Sequence, residues 1–210
     1  MPEFHSRDPN QPAFWDERFA QGFTPWDMGG VPEALKRLVA ASAPLRTLIP
    51  GCGNAYELGY LAQAGWDATA IDFSPEAVAA GKAAVGAWHA RVQLADFFTW
   101  TASAPLELIY ERAFLCAMPP AMWPRVAERW AQLLPPGALL AGYFLFDDKP
   151  KGPPFGIARE RLFALLEAQF ACLEDAAVTD SVPVFHGKER WMVWQRRQQG
   201  ATDAPTAPGI

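Results

Sequence analysis

The sequence predicts an α/β fold: a doubly wound, mostly parallel seven-stranded sheet with an antiparallel hairpin at one edge. Three observations predict it. Short β-branched or apolar runs alternate with helical stretches from residue 46 to residue 168, the pattern of a parallel sheet covered on both faces. A glycine turn, Gly51-Cys52-Gly53, joins the first strand to the first helix of that series. The last two strand-like runs have no helix between them, so they pair antiparallel.

The elements follow in order. Residues 1 to 31 form a polar arm rich in aromatics, with Phe14, Trp15, Phe19, Phe23 and Trp26, in which Gln11-Pro12 opens a short helix to about Ala20. Pro32 suits the first position of a helix carrying Leu35, Leu38 and Val39. Strand one is Arg46 to Pro50, and its helix runs from Ala55 to Ala64 with Gly65 as C-cap. Strand two is Ala68 to Asp72. Ser74 then caps a helix with Pro75 in its first turn, running to about His89. Strand three is Val92 to Ala95 and strand four Leu106 to Tyr110. Pro119-Pro120 introduce a helix to Leu134, stopped by Pro135-Pro136-Gly137. Strand five is Ala138 to Phe146, followed by a loop to Gly156 and a helix from Ile157 to Ala168. The late strands lie near Leu173 to Val184 and Arg190 to Trp194. We read residues 1–197 as one domain and 198–210 as a disordered tail.

Composition narrows the function. The 210 residues carry a formal charge of −5 and are 50% hydrophobic, a globular and acidic chain. Nucleic-acid binding needs clustered Lys and Arg, so no such partner is expected. No apolar run reaches membrane-spanning length and no signal segment opens the chain, so no membrane partner is expected. Cys52, Cys116 and Cys172 lack metal-ligand spacing and read as small apolar residues of a cytoplasmic protein. His5, His89 and His186 are scattered and read as non-ligands, so no metal is expected. The protein is read as a monomer acting on a small molecule.

Ligands of such sheets bind at the carboxyl ends of the strands. Gly51 and Gly53 let the backbone pass close to a ligand, and Asp72 is placed to accept ribose hydroxyls. The third position of a G-x-G-x-x-G fingerprint is Tyr56, too large for the close packing at a pyrophosphate loop. A nucleoside cofactor without phosphates, such as S-adenosyl-L-methionine, fits better than a dinucleotide. Asp96 with Phe97 offers a carboxylate and an apolar face for adenine. The arm's Trp15, Phe19 and Trp26 serve either as a lid over a sulfonium or as plain packing. Arg112 ends strand four, where it either holds an anionic substrate or is a surface arginine.

With these residues placed, the chain resembles the thiopurine S-methyltransferase superfamily of class I S-adenosylmethionine methyltransferases, and particularly its thiol and halide branch. The matching segments are FWDERFAQGFTPWDMGGVP (14–32), LIPGCGNAYE (48–57), IDFSPEAV (71–78), LADFFTW (94–100), LIYERAFLCAMPP (108–120) and FDDKPKGPPF (146–155). The resemblance implies a Rossmann-like methyltransferase. Trp15, Phe19 and Trp26 would contact the cofactor from the arm and Gly51 and Gly53 would adjoin its methionine part. Asp72 would take the ribose, and Asp96 with Phe97 the adenine. Arg112 would serve catalysis beside the methyl acceptor and touch the cofactor. The plant halide branch has a tyrosine at the Arg112 position. Many methyltransferases also have an acid and a glycine where this chain has Ile49 and Ala55. The implied reaction is in-line displacement by a soft nucleophile, which needs alignment in a dry pocket more than a base. Phe14, Phe146 and Phe155 are candidate walls. The competing readings are an O- or N-methyltransferase, a nicotinamide oxidoreductase and a non-catalytic cofactor-binding module.

Overall fold

The computed structural model describes residues 2–149 and 151–198. The tail read as disordered thus lies outside the described residues, apart from Gln198. Seven strands form one sheet: β1 (Arg46–Pro50), β2 (Asp67–Asp72), β3 (Val92–Leu94), β4 (Leu108–Arg112), β5 (Leu139–Leu145), β6 (Phe170–Ala177) and β7 (Glu189–Arg196). Their order is β3-β2-β1-β4-β5-β7-β6. The first five are parallel, and β7 runs antiparallel between β5 and β6. The late pair is therefore antiparallel as expected, with the last strand inserted inside the edge.

Among the described residues six helices accompany the sheet: α1 (Pro12–Ala20), α2 (Glu33–Ala41), α3 (Tyr56–Gln63), α4 (Pro75–Val85), α5 (Trp123–Leu133) and α6 (Arg159–Leu166). One core cluster lies beneath α5 and α6, built on Trp123, Trp130, Leu162, Phe170 and Trp194. The other lies beneath α2, α3 and α4, built on Leu35, Leu58, Leu61, Val78 and Trp191. Burying both sheet faces is the main apolar gain, at roughly 25 cal/mol per Å² removed from water.

Several boundaries differ from the sequence reading. Helix α4 ends at Val85 because Gly86 takes φ +54°, and a 3-10 turn (Gly86–Arg91) replaces its expected last turn. Residues 119–122 form a turn closed by Met122 N–H to the Pro119 carbonyl, so α5 starts later than the proline pair suggests. Strand β4 is displaced by two residues because its ladder begins with Leu108 opposite Leu139. This puts Arg112 on the strand itself. Strand β6 runs from Phe170 to Ala177, starting and ending earlier than expected, with a register shift between Cys172 and Glu174.

Gly142 on β5 sits where the sheet is tightest. A Cβ there would lie 1.9 Å from the carbonyl oxygen of Glu111 on β4. Gly142→Ala is expected to force β4 and β5 apart and cost about 3 kcal/mol or more. A urea unfolding midpoint within error of the parent's would refute this.

Candidate active site

A cavity of about 700 Å³ opens at the carboxyl ends of the parallel strands, roofed by the N-terminal arm. That size suits a nucleoside cofactor together with a small partner. Its floor is the β1–α3 turn. Gly51 and Gly53 have φ of +60° and +50°, and a Cβ on Gly51 would lie 2.7 Å from the Phe114 ring. The turn continues through Ala55, also left-handed at φ +54°.

Asp72 closes β2 and is buried. Its Oδ2 accepts from Gly53 N–H at 3.1 Å and its Oδ1 from Ser74 N–H at 3.0 Å. Those bonds fix the carboxylate beside the glycine turn and leave each oxygen capacity for a further donor. Burial raises its pKa to about 6, against the opposing hydrogen bonds from Ser74 and Gly53. Asp96 is exposed, and its Oδ1 accepts from Phe98 N–H at 2.8 Å within its own turn. Phe97 beside it is buried, edge-on to Phe98 and to Phe114 at 5.4 and 4.9 Å.

The arm is an aromatic cluster. Trp26 meets Trp15 edge-on at 5.5 Å and Phe19 at 6.2 Å, while Phe14 meets Trp15 at 4.9 Å. All four rings line the cavity and pack on one another. Two carboxylates tie the arm down. Asp16 accepts from Ser74 Oγ and, at 3.2 Å, from Glu76 N–H at the start of α4. Asp27 accepts from the Asn54 side chain in the glycine turn. One chain of hydrogen bonds therefore runs from α1 through Ser74 to Asp72.

Arg112 is mostly shielded from solvent: its side chain is 10% exposed. Its Nη1 donates to Glu189 Oε1 at 3.1 Å, its guanidinium lies 4.4 Å from the Tyr143 ring centre, and its Nη2 approaches Met28 Sδ at 3.9 Å. The surface-arginine alternative is thereby excluded. Phe14 lines the cavity, but Phe146 and Phe155 pack against the core under α5 and α6. The wall positions guessed for them belong instead to Phe98, Phe114 and Phe185, because the loop after β5 turns its phenylalanines inward.

Sequence reasoning missed Asp16, Asp27, Asn54, Glu57, Phe114 and Glu189. Glu57 had a local signal, an acid in the first turn of a helix beginning at the glycine loop. The partners of Asp16 and Glu189 lie 58 and 77 residues away and had none. Among the described residues no group of histidine, cysteine and acidic side chains is disposed to hold a metal. No described helix is long and apolar enough to cross a membrane.

Four buried carboxylates titrate high, each chiefly through desolvation: Glu57 and Glu111 at about 7, Asp72 at about 6, and Glu189, raised against the opposing pull of Arg112. Each binds its proton more tightly folded than unfolded, so the stability it contributes is full below its unfolded pKa and lost as pH rises through the folded value. Asp147 and Asp175 are shifted downward, so their contribution is lost only in acid. The melting temperature of the protein without ligand is expected to fall between pH 5.5 and 8. A flat or rising profile over that range would contradict these assignments.

The sheet order, the glycine turn and the acid at the end of β2 define the class I S-adenosylmethionine methyltransferase fold. The chain superposes on the Burkholderia thailandensis 1,6-didemethyltoxoflavin-N1-methyltransferase, crystallised with 1,6-didemethyltoxoflavin and S-adenosylhomocysteine. The TM-score is 0.70 at 17% identity over 94% of each chain. A "Probable thiol methyltransferase 2" of Arabidopsis thaliana is 31% identical, covering 71% of this chain and 69% of its own. "Thiocyanate methyltransferase 1" of Brassica oleracea is 28% identical, covering 87% and 84%. The family model described as thiopurine S-methyltransferase matches residues 10–197, and the chain belongs to that family. It is an S-adenosylmethionine-dependent methyltransferase.

Proposed function

We propose that the protein transfers a methyl group from S-adenosylmethionine to a small soft nucleophile: a thiol, a thiopurine, or a halide or chalcogen species. When bound, the cofactor supplies an electrophilic methyl on a sulfonium, displaced by an incoming lone pair as the bonding electrons return to the sulfonium sulfur. The observation that carries this reading is the division of the cavity lining. Four carboxylates, Asp27, Glu57, Asp72 and Asp96, gather around the strand ends that suit the cofactor. The remaining wall includes Met28, Cys116, Phe114 and Phe185, with Arg112 its nearest cation. No histidine or lysine is among the described lining residues.

That lining suits polarisable acceptors that need no strong base. The chain's part is to orient and to exclude water. In this reading Asp72 holds the ribose diol, Asp96 and Phe97 hold adenine, and Gly51 and Gly53 admit the methionine part. Glu57 faces its ammonium. Trp15, Phe19 and Trp26 close over the sulfonium, each cation–π contact worth ~0.5–2 kcal/mol. Arg112 orders the acceptor side. Free cysteines are compatible with a cytoplasmic protein, which we take to be monomeric.

Calorimetric titration with S-adenosylhomocysteine, with NADH as control, tests the cofactor. Micromolar binding of the former alone, followed by methyl transfer to some thiol, is the expected result. Binding of S-adenosylhomocysteine without turnover on thiols, thiopurines, halides or chalcogen oxyanions would instead make the chain a non-catalytic binding module.

A further inference from the structure

Arg112 is the innermost cation of the cavity, and it is already paired. Its guanidinium donates to Glu189 at 3.1 Å, and the two side chains are 10% and 2% exposed. Neither water nor salt screens such a pair effectively. The pair is also not alone. Buried Glu57 on α3 and buried Glu111 on β4 act on the same guanidinium, and the Tyr143 ring packs against it. Arg112 Nη2 also donates to Met28 Sδ of the arm at 3.9 Å, an uncharged partner. With Glu57 and Glu111 protonated the cluster is neutral; ionising either makes it negative. The other cations of the lining lie elsewhere. Arg7 is exposed, Arg18 is half-buried over the rings of Phe4 and Phe14, and Arg125 covers Phe98 on the side of Asp96. Arg7 is exposed to water and salt, and Arg18 is engaged by the Phe14 carbonyl and two rings, so neither does much for an anion seated beside Arg112.

Resting on the methyltransferase reading above, we propose that Glu189 sets the acceptor charge by cancelling Arg112, so that the site prefers uncharged sulfur acceptors to permanent small anions such as iodide or thiocyanate. Glu189 lies outside the cavity lining and acts through Arg112, so it is a positioning residue. An anion beside an ion pair gains little from the cation and is repelled by the carboxylate. A neutral thiol incurs neither that repulsion nor the desolvation cost of a charge. As its sulfur forms the new S–C bond, the S–H proton leaves to water at the open mouth.

The test compares kcat/KM for 2-mercaptoethanol and for iodide at pH 7 with saturating S-adenosylmethionine. The parent enzyme is expected to favour the thiol. Glu189→Gln keeps the shape and one acceptor oxygen while removing the charge. It is expected to raise the iodide-to-thiol ratio at least tenfold, with the KM for S-adenosylmethionine within about twofold of the parent. A structural role alone would lower both acceptors together and leave the ratio unmoved. An unchanged ratio in a folded variant, or a parent enzyme that favours iodide, would overturn the proposal. Should the variant not fold, thiocyanate inhibition of the parent decides. A Ki at least tenfold above the thiol KM supports the idea, and a Ki below that KM defeats it. Absence of transfer to any acceptor would instead count against the methyltransferase reading itself.

Discussion

Replacing Asp72 by alanine is expected to weaken S-adenosylhomocysteine binding by about a hundredfold, from two charged hydrogen bonds to a ribose diol at about 1.5 kcal/mol each. The geometry makes this a clean site to remove. The carboxylate is pinned by Gly53 N–H and Ser74 N–H, so its free lone pairs are preset towards the cavity. The fold is expected to persist, because two opposing changes accompany the substitution. Two backbone donors lose their acceptor, and a buried carboxylate with a raised pKa disappears. Asp72→Asn gives no rescue: its amide nitrogen would face one of those two N–H groups, donor against donor. In the parent, affinity should decline below about pH 6 as the carboxylate takes up its proton. Calorimetry on both variants and a pH series on the parent check this. Unchanged affinity in Asp72→Ala would remove the residue from the ribose site.

Arg112→Ala is expected to abolish measurable turnover and also to destabilise the protein by about 3–5 kcal/mol, since it strands a buried carboxylate. Glu189 is the group left behind, at 2% side-chain exposure. Activity loss in the single variant is therefore ambiguous by itself. The double variant Arg112→Met with Glu189→Met separates the two effects. Removing both charges should restore most of the stability, since apolar replacements of a buried pair are often tolerated. Turnover should stay low while S-adenosylhomocysteine binding returns. Denaturant melts with calorimetry on the two single variants and the double variant give the coupling between the residues. A double variant as active as the parent would show that Arg112 has no part in ordering the acceptor.

Much of the strand-end turn that floors the cavity was legible in the chain because it is built from short-range rules. Gly51 and Gly53 announce a left-handed turn, Ser74-Pro75 announces a helix start, and Asp72 falls at a strand end between them. The boundaries that moved did so where a partner strand overrode local preference, as in the β4 ladder beginning opposite Leu139. The opposite wall of the cavity was far less legible. Phe146 and Phe155 follow β5 in sequence yet join the core, while Phe114 and Phe185 supply the wall.

The sequence by itself determined the alternating α/β order, the glycine turn, the acid at the end of β2 and the membership of this chain in its family. Those are encoded in neighbouring residues, through dihedral preferences, caps and apolar periodicity. Only the tertiary structure decided that Asp16 clamps the arm to the Asp72 loop, and that Arg112 stands neutralised by Glu189. Both contacts depend on distant segments meeting. Glu189 reaches Arg112 because antiparallel β7 sits next to β5, placing its first residue at the same end of the sheet as the last residue of β4. Strand order is a property of how both sheet faces are buried together, and no local stretch of the chain carries it.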